Sequence, residues 1–411
     1  MRARTSVEAL RWARLRVVLI VVVAWGFAQR GAFTVTGDIT WSSRLDLGWE
    51  KTYAGPITSD RGKIFAAGAG PFRFSPSSNA TIHVAAYDDR TGQVLWHNVC
   101  PGTVWDDHAK DITASGGMVF VAGIGNLNTS NPGKAILVCA FDADSGERVW
   151  ADRRDGEGST QAIVAHAGRV FVSGGWPTRP VLRAYDATTG EVVWEAEAGG
   201  SISPYSDVGG SIAVHGNRVF AMGHDAEGGL HLRAYDAQTG VPSWETESLG
   251  EMGSTRSLHV AASAGVVFAV VTDAAGPRMS GFDADSGAPL WQTDPGGPVA
   301  SLAAEGGRVF ASGVGSGLRA YDSASGNVLW DSPGGGMKIV IGGGTVSVVG
   351  WSVQTFDVVH GQRLMQAGTS GSLETGGGIA WSSGRVFTSG TAWSPVYYTH
   401  TEWIVAAYDV R

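Results

Sequence analysis

The chain is short of charge and of cysteine. Only 17% of its 411 residues are charged, and only two, Cys100 and Cys139, are cysteines. So low a share of charged residues does not suit a protein built from helices rich in Ala, Glu, Lys and Leu. The cysteines form neither a CxxC nor a CxxCH motif, so no thiol-redox or haem-attachment signature is present. Two free buried thiols are the expected state, because spacing alone cannot show that two sulfurs meet. A disulfide stays open if the chain is exported to an oxidising compartment.

Positive charge is scarce as well. The formal net charge is −8, and no run of Lys or Arg occurs in the body of the chain, so the basic face that a nucleic-acid partner requires is missing. One long apolar run exists, Val17 to Ala28. It is preceded by Arg2, Arg4, Arg11, Arg14 and Arg16 and interrupted by Gln29 and Arg30. That order is a secretory signal or N-terminal anchor over residues 1–30, too short to span a bilayer comfortably. Gly26-Phe27-Ala28 offers a cleavage site and no cysteine follows it, so a lipidated N-terminal cysteine is not expected. The mature protein is expected in the periplasm or outside the cell, touching a membrane at most through this segment.

The usual catalytic phrases are missing too. There is no HExxH, no His-x-His, no GxSxG and no phosphate-cradling glycine loop. The fragment DADSG at 142–146 and 283–287 looks like the opening of a calcium loop. The twelfth position, however, is Arg153 or Asp294 rather than Glu, which leaves turn chemistry as the reading. His166 and His215 occupy matching places in a repeat and point to structure rather than metal binding.

What the chain has is glycine, sixty residues, and tryptophan, sixteen, arranged in a repeat. An eleven-residue phrase reads AYDDRTGQVLW at 86–96, AFDADSGERVW at 140–150, AYDATTGEVVW at 184–194, AYDAQTGVPSW at 234–244, GFDADSGAPLW at 281–291 and AYDSASGNVLW at 320–330. A degenerate copy, TFDVVHGQRLM, lies at 355–365, and AYDVR at 407–411 is only a beginning. In each phrase Asp starts a turn by accepting backbone N–H groups, Gly supplies the left-handed residue, and an alternating strand runs out to Trp. A second phrase of the type GGRVFASG precedes each hairpin, and one more alternating segment precedes that. Units of four strands repeated at this period predict a propeller. Residues 36–41, TGDITW, supply the half-phrase that the C-terminus lacks. The fold class is therefore an all-β, eight-bladed propeller over 36–411, its last blade closed by the N-terminal strand 36–41.

The phrase resembles the tryptophan-docking, PQQ-like repeat family found in quinoprotein dehydrogenases and in an outer-membrane barrel assembly lipoprotein. The resemblance implies the fold over nearly all of 36–411 and leaves the function open between enzyme, sensor and scaffold. The dehydrogenases would imply a pair of adjacent cysteines over the quinone, calcium ligands and an aspartate base, none of which can be placed here. No cofactor is expected, with pyrroloquinoline quinone and calcium as the alternative. The expected function is an exported, non-enzymatic platform for a protein or envelope polymer.

Loop lengths suggest where that partner binds. One end of the ring carries uniformly tight turns, while length variation collects at the other, at 69–81, 97–110, 124–134, 175–180, 223–229 and 391–403. Variable loops on a rigid frame are where recognition usually resides. The candidates are Trp105, Asp106, Asp107 and His108 in the densest polar cluster, with Tyr205, Trp393 and Tyr397. The cluster is expected to be a solvated connection between blades, continuing into Lys110 and Asp111.

Overall fold

The computed structural model describes residues 39–45, 53–70, 81–101, 105–126, 134–176, 179–197, 212–224, 229–250, 257–273, 275–368, 377–393 and 401–410. None of these is helical. They form eight four-stranded antiparallel sheets, seven of them ordered from inner to outer strand along the chain and the eighth completed by the N-terminal strand. We number the blades 1 to 7 as 53–100, 105–155, 159–197, 212–245, 257–293, 301–332 and 338–368, and blade 8 as 379–409 plus 39–45. Each inner strand packs against the inner strands of both neighbours, and blade 8 returns to blade 1, so the ring is closed.

The repeat phrase explains how one blade holds the next. The tryptophan at the end of a phrase lies flat on the glycine of the following one: Trp96 on Gly146, Trp150 on Gly190, Trp194 on Gly240, Trp244 on Gly287, Trp291 on Gly326 and Trp330 on Gly361. A Cβ on any of these glycines would fall within 2.4 to 2.6 Å of an indole atom. The glycine thus serves twice, taking a positive φ near 70° in the turn and leaving room for the ring. Each indole Nε1–H donates to a backbone carbonyl of the same turn, as Trp194 does to Ala237 at 3.1 Å. Large rings are thereby buried between sheets without an orphaned donor.

The ring closes as the split phrase predicts. The N-terminal strand Ile39–Leu45 pairs antiparallel with the C-terminal strand Thr401–Asp409, Trp41 opposite Ala407 and Leu45 opposite Trp403. It runs past Trp41 to Leu45, while residues 36–38 lie outside the described residues. Trp41 docks on Gly92 of blade 1 and donates to the Asp89 carbonyl at 3.2 Å. Asp89 occupies a phrase position that is Ala in four other copies, and its buried carboxylate accepts from Ser382 and Ser383 of blade 8 at 2.8 Å each. Ser389 adds a buried bond from blade 8 to the Gly55 carbonyl, 2.6 Å. The seam between blades 8 and 1, which closes the ring, is polar as well as apolar.

The cysteines are not free thiols. Cys100 and Cys139 form a disulfide with Cα atoms 5.8 Å apart, joining the outer strand of blade 1 to the third strand of blade 2. The outer strand of one blade lies over the phrase of the next, and this brings together sulfurs that are 39 positions apart.

Candidate functional site

The two ends of the ring are physically different. At the tight-turn end polar groups are largely consumed internally. Asp236, for example, accepts from the Thr239 hydroxyl and from the N–H groups of Gln238 and Thr239, and the Thr239 bonds hold its carboxyl below the usual carboxylate range. His166 donates to Gly216 O of the next blade at 2.9 Å, and His215 accepts from Gly265 N at 3.2 Å. The matching histidines are latches between blades. Some cations at this end are paired as well: Arg169 meets Asp186 at 2.9 Å and Arg218 meets Asp285 at 2.5 Å.

At the other end the polar cluster is not a solvated connection. Trp105 to Ser115 is one continuous inner strand of blade 2, irregular between Trp105 and His108 and again between Ala109 and Asp111. Those irregularities break the two-residue alternation by which a strand is recognised, and bulges of this kind re-aim side chains. Asp107 is fully buried and lies in the field of Arg153, so it is not a surface carboxylate. His108 is half-buried, with its ring edge-on to Tyr53 at 6.2 Å. Lys110 is exposed in the second irregularity. Asp111 accepts from Ile112 N at 2.9 Å and from Ile163 N of blade 3 at 3.0 Å. Burial raises its pKa against those bonds.

The backbone of Trp105 and Asp106 begins this strand. Trp393 ends the second strand of blade 8, opposite Thr401, rather than standing within a loop. Tyr205 and Tyr397 lie outside the described residues. The structure brings Asp107, His108, Lys110 and Asp111 together at the mouth of blade 2 and leaves Trp393 on another blade.

Sequence reasoning did not single out the histidine pair in blade 1. His83 Nδ1 and His97 Nε2 are 2.9 Å apart. The ring planes are parallel within 1° and the centroids are 5.1 Å apart, so the rings meet edge to edge in line, with one ring nitrogen donating to the other. Thr81 Oγ1 lies 3.3 Å from His83 Nε2. Burial, and then the charge of His97, lowers the His83 pKa to about 4, and burial lowers that of His97 too. The signal was present in the sequence, since both histidines lie in one hairpin at positions that face the same side. Among the described residues no three His, Cys, Asp or Glu side chains converge as a metal site requires.

This is the geometry of a PQQ-like-repeat propeller. Residues 31–227, 134–272 and 231–386 match the model of the family described as outer membrane protein assembly factor BamB. The chain belongs to that family. Among solved structures, BamB from Moraxella catarrhalis is similar over 91% of this chain and 100% of its own, with 17% identity and a TM-score of 0.60. A europium-containing methanol dehydrogenase is similar over 91% and 93%, at 11% identity and a TM-score of 0.60. A quinohemoprotein alcohol dehydrogenase from Comamonas testosteroni is similar over 91% and 76%, at 14% identity and 0.55. Such likenesses speak to the fold alone. No curated protein matches the sequence.

Proposed function

We propose that this protein is an exported, non-enzymatic platform that binds a protein partner in the cell envelope through the end of the ring bearing the elaborated loops. The observation that carries the reading is the asymmetry between the ends. One end carries tight turns of uniform length with histidine contacts between blades, whereas the other carries irregular strand starts and connections of unequal length. The family description, assembly of outer membrane proteins, suggests the partner class. Export is supported by the arginine-flanked apolar run at the N-terminus and by the buried disulfide, which suits an oxidising compartment.

The candidate contacts are Trp105, Asp106 and His108, with Trp393 at a strand end of blade 8 and with Tyr205 and Tyr397, which lie outside the described residues. Asp107 is set aside as a contact because it is buried; reversing its charge is expected to damage the fold. The test is affinity capture from envelope extracts with wild type and with Asp106→Arg/His108→Ala. Capture of a defined partner that weakens in the variant, at unchanged thermal unfolding, is the expected result. Equal capture by both proteins contradicts the site.

A quinone-dependent oxidoreductase is the second reading, favoured by the dehydrogenases among the structural neighbours. The described residues supply no convergent acidic set for calcium, and the cysteines are not adjacent, so no step is derived through a quinone. Dye-linked oxidation of alcohols or sugars after adding pyrroloquinoline quinone and calcium would favour this reading over the platform.

A further inference from the structure

Among the described residues, most of the exposed large apolar side chains belong to the repeated hairpin phrase. Leu95, Val149, Val193, Leu290 and Leu329 each stand one residue before a docking tryptophan. They recur with the repeat and need no partner. Val314, Met337 and Trp351 lie outside that phrase, Val314 and Trp351 at matching places directly after the second phrase of blades 6 and 7. They lie at the elaborated end of blades 6 and 7 and are 56%, 48% and 93% exposed.

These three side chains stand on loops that are tied to one another. Gly335 and Gly336 are wedged between two strand turns: a Cβ on Gly335 would meet Gly313 O at 2.4 Å, and one on Gly336 would meet Val349 O at 2.5 Å. The Ser312 hydroxyl donates to Gly336 O at 3.0 Å and accepts from Gly336 N at 2.8 Å. Met337 N donates to Val349 O at 2.8 Å, and Gly350 N to Ser352 O at 3.1 Å. Val314, Met337 and Trp351 are therefore each one residue from a contact that fixes their backbone. Lys338, also exposed, follows Met337 and begins the inner strand of blade 7. It acts electrostatically on Asp111 of blade 2, which places it on the side of the central channel.

A large indole left in water on a rigid mount is unusual for a soluble surface, where contiguous apolar patches mark contact sites. Three exposed side chains are too few to supply the roughly 800 Å² per partner that a stable dimer needs. A second copy of this chain is thus a poor fit, and its net charge of −8 opposes self-association further. A short segment that places an apolar side chain on Trp351 and Met337 and a carboxylate beside Lys338 fits both the area and the charge. A preorganised mount of this kind lowers the ordering cost of binding.

We propose that Val314, Met337, Trp351 and Lys338 form a docking platform for an extended segment of a partner polypeptide in which an aromatic or aliphatic side chain neighbours a carboxylate. The proposal rests on the platform reading above and names a surface for it on blades 6 and 7, whose Lys338 also reaches Asp111 of the polar cluster of blade 2 electrostatically.

The probe is a fluorescein-labelled peptide, Ser-Gly-Phe-Asp-Phe-Asp-Gly-Ser, titrated with the full chain and followed by anisotropy. Its counterpart carries Lys in place of Asp. The expected result is saturable binding of the acidic peptide, weakened about tenfold by Trp351→Ala and clearly weakened by Lys338→Glu. Leu329→Ser, on the repeat belt, is expected to leave binding unchanged, and thermal unfolding of the three variants should match wild type. The proposal is overturned if the acidic peptide does not bind, if both peptides bind equally, if neither Trp351→Ala nor Lys338→Glu affects binding, or if maltoheptaose displaces the peptide. Envelope capture that persists through Asp106 and His108 while the peptide fails would overturn this surface and leave the platform reading standing. Absence of any capture by wild type would instead count against that reading.

Discussion

Asp89 shows how one residue departs from the repeat for a purpose. Four other copies of the phrase place Ala at this position, so Asp89→Ala introduces no clash and removes only the bonds from Ser382 and Ser383. With Ser382 buried, the expected loss is about 1–3 kcal/mol, the usual consequence of orphaning a buried polar group. Urea unfolding measures it directly, and a loss below about 0.5 kcal/mol would mean that the polar seam contributes nothing beyond an ordinary surface site. His83 gives a second test at this scale. Its folded pKa, about 4, lies below the ordinary histidine value of 6.5, so the fold holds it neutral while the unfolded chain protonates it. The stability that this contributes is complete above pH 6.5 and is lost as pH falls from there towards 4, about 3 kcal/mol in all. His97 acts in the same direction. Comparing the pH dependence of unfolding in wild type and His83→Gln isolates the effect from that of the carboxylates; identical slopes between pH 6.5 and 4 would contradict the burial argument.

At the scale of the elements, the docking tryptophan is the unit that repeats. Replacing Trp194, which is buried between blades 3 and 4 with its Nε1–H bonded, by Ala is expected to lower stability by about 3–5 kcal/mol. A loss under about 1 kcal/mol would show that the stacking on Gly240 is incidental. Blade 7 solves its missing tryptophan differently. Met365 is buried in that position, and Trp381 from the inner strand of blade 8 lies over Gly342 and Gly343 instead. The sequence made the blade count, the strand order and the split closure legible, because Asp, Gly and Trp hold fixed offsets that only one geometry satisfies. The start of blade 2 was not legible, since the irregularities around His108 and Lys110 put buried Asp107 where alternation suggests a loop. The disulfide was legible in principle. Trp96 docks on the phrase that follows Cys139, and that same overlap carries Cys100, four residues beyond Trp96, onto the neighbouring blade; spacing read along the chain does not show it.

Over the whole molecule, the tight-turn end works as a fastening and the other end as a surface. The fastening runs through tryptophan docking, histidine latches and ion pairs around the ring. The disulfide between blades 1 and 2 lies immediately before the connection that leads into the polar cluster of blade 2, so that cluster begins from a fixed point. The end-specific account is tested most directly by placing a photo-crosslinking amino acid at single positions of the full chain and irradiating whole cells. Positions 108 and 316 lie at the elaborated end, and positions 144 and 188 on the tight turns. The account expects discrete cross-linked protein partners from 108 or 316 and none from 144 or 188. Cross-links confined to 144 and 188 would contradict it, because they would place recognition on the end assigned to fastening.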